Sequence, residues 1–167
     1  VLFIATTSEE QGLLGSAYYA SHPLFPLSDT VADLNMDVME VNGATRDLTV
    51  RGQFMSTLDD DLRRSADRLG LKLGADADAS KGYYYRADHF EFAKQGVPAL
   101  SITAGTDYVG RDPGWGLARQ REYTEQRYHK PADVYEPGWN LDGMRQQLQV
   151  VYLTGRPLAD GDEWPAW

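Results

Sequence analysis

The chain contains no cysteine, which excludes disulfide staples, thiolate nucleophiles and thiolate metal ligands. Histidine is scarce, at three residues, so any imidazole chemistry rests on His22, His89 or His129. No apolar run approaches the roughly 18 residues that a membrane-spanning helix requires. Positive charge is in deficit, with 16 Lys and Arg against 25 Asp and Glu, for a formal charge of −9. That balance argues against nucleic acid and anionic membrane as partners. Internal repeats and low-complexity tracts are lacking. Neither HExxH nor a GxSxG elbow is present, so a single-helix zinc site and a serine hydrolase are both disfavoured.

What remains is a chain of 167 residues with 42% apolar content, enough for one domain with a real core. Its organising stretch is Val1–Gln11, VLFIATTSEEQ. Val1–Ala5 is a short apolar run that suits a strand buried on both faces. Thr6, Thr7 and Ser8 end it, Glu9 and Glu10 follow, and Gln11–Ser21 reads as a helix. Polar residues between a strand and a helix fall at the carboxyl edge of an open α/β sheet, where such folds keep their sites. Adjacent residues in a turn point different ways, so one Glu can bind a metal while the other faces water. Without other support, the pair reads as two solvated acids heading a helix and matched to its dipole.

Further along, Thr30–Val38 reads as a second strand, with Leu34, Met36 and Val38 on one face and Asn35 and Asp37 on the other. Asp37 near the end of an apolar strand is costly unless paired or metal-bound. Asp47–Arg51 is a short strand. Thr57–Leu69 is an amphipathic helix whose Asp59–Asp61 run suits a solvated first turn, and Gly70 ends it. Gly74–Lys81 reads as an acidic loop. Tyr83–Tyr85 precede Asp88-His89 and a helix through Ala93, and Val97–Thr103 is the next buried strand. Gly105–Arg127 reads as a long loop lining a site, and Trp139–Ala159 as a closing helix. Strand and helix alternate, which predicts an α/β three-layer sandwich with a largely parallel, doubly wound mixed sheet. Glu9, Glu10, Asp37 and His129 then fall at strand ends or loops, and mixed carboxylate and imidazole ligands suit zinc.

Four segments carry a resemblance: ATTSEEQGLLGS, LNMDVM, YYYRADHFEFAKQGVPAL and RYHKPAD. In this order they resemble the zinc aminopeptidase family that includes aminopeptidase Y, the bacterial secreted leucyl aminopeptidases and glutamate carboxypeptidase II. The resemblance implies a zinc-dependent exopeptidase, an aminopeptidase acting on peptide substrates through a metal-activated water. It implies Glu9 as general base and Glu10, Asp37 and His129 as metal ligands, with His129 sharing the Glu10 ion. Tyr84 would help hold the tetrahedral intermediate. Asp88 and His89 match a signature beside the site, and Asp133 would buttress the metal-binding loop or serve as a structural cap. Two zinc ions are implied for the complete domain.

One departure accompanies the matches. The family's remaining ligands, a His and a bridging Asp of an HxD-type segment, lie upstream of the Glu-Glu strand, and no HxD occurs here. We therefore expect residues 1–167 to be the carboxyl-terminal part of a single catalytic domain. Alone, it should hold little or no zinc, lack activity and self-associate through an uncovered sheet. The alternatives are a glutaminyl cyclase-like acyltransferase and a metal-free binding domain of the transferrin-receptor type. Exported relatives suggest a periplasmic or secreted location.

Overall fold

The computed structural model describes residues 1–167. Four strands, β1 (Asp33–Asn35), β2 (Asp47–Arg51), β3 (Lys72–Ala75) and β4 (Ala99–Ala104), form one sheet in the order β1-β4-β2-β3. β1 runs parallel to β4 and β2 to β3, whereas β2 and β4 are antiparallel. The register sorts the side chains. Leu34 lies opposite Leu100, and Val50 opposite Ile102, which makes one face apolar. One position along, Asn35 opposes Ser101 and Ser101 opposes Arg51, so the other face is polar.

Five helices complete the fold: α1 (Leu14–Ser21), α2 (Leu58–Arg68), α3 (His89–Ala93), α4 (Trp115–Gln126) and α5 (Asp142–Asp160). The apolar sheet face is covered by α2 and α5. Leu58, Leu62 and Ala66 of α2 and Val150 of α5 pack with Leu48, Val50, Leu100 and Ile102 in one core. Each fully buried leucine contributes roughly 1.5–3 kcal/mol. An exposed pair such as Arg63–Asp60 contributes at most about 1 kcal/mol. The apolar stripe therefore holds α2 in place, and Gly70 at φ +68° closes it. On the polar face α3 packs against β1 and β4, with α1 against α3. These are the three layers and the mixed, doubly wound sheet that the alternation predicts.

Several elements differ from the sequence reading. Val1–Ala5 joins no ladder; Val1 is 97% and Phe3 89% exposed. A run of apolar residues becomes a buried strand only with a pairing partner and a covering layer, and no segment of the chain supplies them. The strand expected over Thr30–Val38 shrinks to Asp33–Asn35, leaving Met36 and Val38 exposed. The acidic loop at Gly74 begins inside β3. The long loop expected over Gly105–Arg127 contains α4, a helix without an apolar stripe. It packs through Gly116, where a Cβ would lie 2.3 Å from the Thr106 carbonyl oxygen. Asp59 is not part of a solvated run, because it is buried and accepts a bond from the Phe54 N–H at 2.5 Å.

Candidate active site

Glu9 and Glu10 stand in a single 3-10 turn, Glu9–Gln11, flanked by left-handed backbone at Ser8 (φ +58°) and Gly12 (φ +100°). Left-handed non-glycine residues are strained and persist where their surroundings fix them. Here the fixing contacts are visible. The Gly15 N–H donates to the Thr7 carbonyl at 2.9 Å, and a Cβ at Gly15 would lie 2.5 Å from both the Thr7 nitrogen and oxygen. Only glycine lets α1 approach so closely. On the other side, the Thr6 hydroxyl donates to Asp88 Oδ2 at 2.6 Å, tying the turn to the residue just before α3.

His129 lies in the loop after α4, also with left-handed backbone (φ +56°). Its ring stacks on Tyr128 with centroids 4.0 Å apart, and its Nε2 lies 2.9 Å from Glu10 Oε1. The Tyr123 hydroxyl of α4 donates to Asp133 Oδ2 at 2.8 Å, so Asp133 anchors the same loop four residues beyond His129. Asp37 sits two residues past the end of β1.

The carboxylates share one field. The Glu9 carboxyl is pushed above the ordinary range first by loss of hydration, then by the negative charges of Glu10, Asp37 and Asp88, with His129 opposing. Asp37 is raised by desolvation, opposed by the Arg51 guanidinium and reinforced by Asp88 and Glu10. The structure thus brings Glu9, Glu10, Asp37, Asp88 and His129 into one neighbourhood. Tyr84 is placed differently. Its hydroxyl is sealed from solvent without a hydrogen-bond partner. Burial, then the neighbouring Tyr85 and Asp33, raise its pKa, and none of the Glu-Glu turn acts on it. Its ring packs edge-on against His89 at 4.8 Å. His89 is fully buried, both ring nitrogens lack partners, and its pKa falls to about 4 through desolvation and the nearby Arg51 charge.

Glu10 and His129 fit two corners of a zinc site. Ligand atoms about 2.0–2.2 Å from a tetrahedral ion are held about 3.3–3.6 Å apart, so the pair, in direct contact at 2.9 Å, needs to part by only about half an ångström to hold one. No group of three or more potential ligands forms within the chain, and Asp37 does not join this pair. A complete tetrahedral site therefore is not built from these residues alone. The sequence reading missed three groups at the site. Tyr128 has its hydroxyl in the field of Glu10, Arg86 and Glu9. Arg51 and Arg86 lie 5.0 and 5.6 Å from the Tyr83 ring centroid. The alternation of Asp47–Arg51 places Arg51 on the face opposite Leu48 and Val50, the one signal that could have found it.

Solved structures with the same fold include two of Legionella pneumophila LapA, described in one as an aminopeptidase. They share 17% identity with the chain, with TM-scores of 0.66 and 0.62, and match 95% and 96% of it. An aminopeptidase from Aneurinibacillus sp. strain AM-1 is 19% identical with a TM-score of 0.55 over 92% of the chain. The chain spans only 40%, 39% and 32% of the length of these proteins. No curated protein sequence matches it. The model of peptidase family M28 matches residues 1–153, which takes in the Glu-Glu turn, Asp37, the Asp-His pair and His129, and the chain accordingly belongs to that family.

Proposed function

We propose that the chain is the part of a zinc-dependent aminopeptidase that carries the general base and three metal ligands. The substrate is a peptide, and the reaction is hydrolysis of its N-terminal peptide bond. The observation that carries this reading is the contact of Glu10 with His129 at 2.9 Å beside a Glu9 carboxyl raised by burial and its acidic neighbours. Membership of peptidase family M28 supports it. In the complete protein, Glu10 and His129 would hold one zinc and Asp37 would contribute to a second, together with the His and bridging Asp that the resemblance places upstream.

Zinc there would polarise the scissile carbonyl and lower the pKa of water. Glu9 takes the proton of the attacking water and delivers it to the departing amine. Thr6, Asp88 and Gly15 fix the turn from which Glu9 projects.

Glu9→Gln in the complete, zinc-loaded protein tests the reading. An amide cannot accept the proton, so turnover of leucine p-nitroanilide should fall by the roughly 10²–10⁴-fold typical of general bases, with zinc content unchanged. Activity within a few-fold of wild type would refute the assignment.

A further inference from the structure

Seven arginines pair with a carboxylate: Arg46, Arg63, Arg64, Arg119, Arg127, Arg145 and Arg156. Arg51 and Arg86 are among those that do not, although the chain carries nine more negative than positive charges. Both face the ring of Tyr83, at 5.0 and 5.6 Å from its centroid. An aromatic face orients a guanidinium but leaves its N–H groups free for an acceptor. Arg51 Nε is sealed from solvent and has no hydrogen-bond partner. Its charge is felt by the Asp37 carboxyl, but no carboxylate closes on it as an ion pair, so its N–H groups are open to an incoming acceptor.

Their position places both beside the site. Arg51 ends β2 on the polar face of the sheet, on the same rung as Ser101 and Asn35, and Asn35 lies two residues before Asp37. Arg86 lies two residues before Asp88, which receives the Thr6 hydroxyl bond at the base of the Glu-Glu turn. The Arg86 charge also reaches the Tyr128 hydroxyl, whose ring stacks on His129. Two guanidiniums without an ion-pair partner thus border a centre made of four carboxylates and the His129 imidazole.

We infer that Arg51 and Arg86, oriented by Tyr83, form a carboxylate-binding subsite that selects peptides with a free carboxylate beside the scissile bond. The inference rests on the aminopeptidase reading for the site's location. The carboxylate has two possible sources, an acidic first side chain or the C-terminus of a dipeptide. Planar guanidinium forks suit either one.

Two isosteric pairs separate the sources in the complete zinc-loaded protein: glutamyl against glutaminyl p-nitroanilide, and Leu-Gly against Leu-Gly-amide. The wild type should favour the carboxylate member of one pair by at least about tenfold in kcat/KM, and that pair identifies the source. Arg86→Ala, at an exposed position, should bring the ratio close to one, and Arg86→Lys should restore part of it. No preference in either pair, or a preference that survives Arg86→Ala, overturns the subsite. Should the wild type hydrolyse none of the four compounds, the peptidase reading fails by itself. Titration calorimetry with the same four compounds then decides the subsite. Carboxylate-dependent binding that Arg86→Ala removes supports it, and equal binding or none refutes it.

Discussion

Single residues hold this site in shape through contacts that leave little slack. Gly15 is the sharpest case, because a methyl there meets Thr7 backbone at 2.5 Å and backbone cannot swing aside. Gly15→Ala should cost about 1–3 kcal/mol, the usual penalty of overpacking, and should displace the turn bearing Glu9 and Glu10. Urea unfolding and turnover, measured together, check both effects; an unchanged midpoint with wild-type turnover would show that the turn is not held by this contact. The Glu10–His129 contact makes a separate prediction. His129→Ala or Glu10→Ala in the complete protein should lower zinc by one equivalent after dialysis, while Asp37→Ala should remove the other. Two equivalents retained in the His129 variant, counted by elemental analysis, would exclude its proposed role.

Among the elements, β1 carries a tension that pH should expose. Asp33 lies on the polar face with Oδ2 sealed from water and unpartnered, and its pKa rises to about 7 through desolvation and the charge of Asp88. Between its ordinary value of 3.8 and about 7 the folded chain binds this proton more tightly than the unfolded chain. Stability from Asp33 therefore falls as pH rises through that window. His89 acts in the opposite sense. Its folded pKa of about 4 lies below 6.5, so its contribution grows as pH rises from about 4 to 6.5. The two largely offset each other there. Asp33→Asn removes one of them, and the variant should gain on wild type from pH 4 to about pH 7 and hold a constant advantage above it. The gain should reach up to about 4 kcal/mol, since each tenfold change in proton affinity is worth roughly 1.4 kcal/mol. Parallel urea curves at four pH values test it, and a pH-independent difference would show that Asp33 is not the titrating group.

For the whole molecule, the exposed apolar residues Val1, Leu2, Phe3 and Ile4 have consequences for association. Leu14 and Tyr18 extend the exposed apolar surface along α1, and β1 offers an unpaired sheet edge. Such surfaces promote association. The 167-residue chain made by itself should therefore sediment as a concentration-dependent oligomer. It should also bind zinc weakly, because the Glu10–His129 pair lacks a third ligand. Sedimentation and zinc calorimetry read the two properties independently. A monomer with two tight zinc sites would show that ligands are recruited from elsewhere in this sequence.

Periodicity makes much of this architecture legible in the sequence. Asp47–Arg51 alternates cleanly and is a strand over that very span, and the stripe of Leu58, Leu62 and Ala66 forms α2 as expected. Local patterns suffice there because one apolar face must be buried wherever the element packs. The Glu-Glu pair, Asp37 and His129 are visible only through ordered motifs, since isolated acids and imidazoles have no period. The rest depends on partners. Whether Val1–Ala5 becomes a strand rests on a ladder partner that no local pattern encodes, and α4 lacks the stripe by which a helix announces itself. The pairing of Glu10 with His129, 119 positions apart, and the convergence of Arg51 and Arg86 on Tyr83 are products of chain packing. Residue identity determined which chemistry was available; the tertiary structure decided which groups meet, because contact energies act over a few ångströms and take no account of distance along the chain.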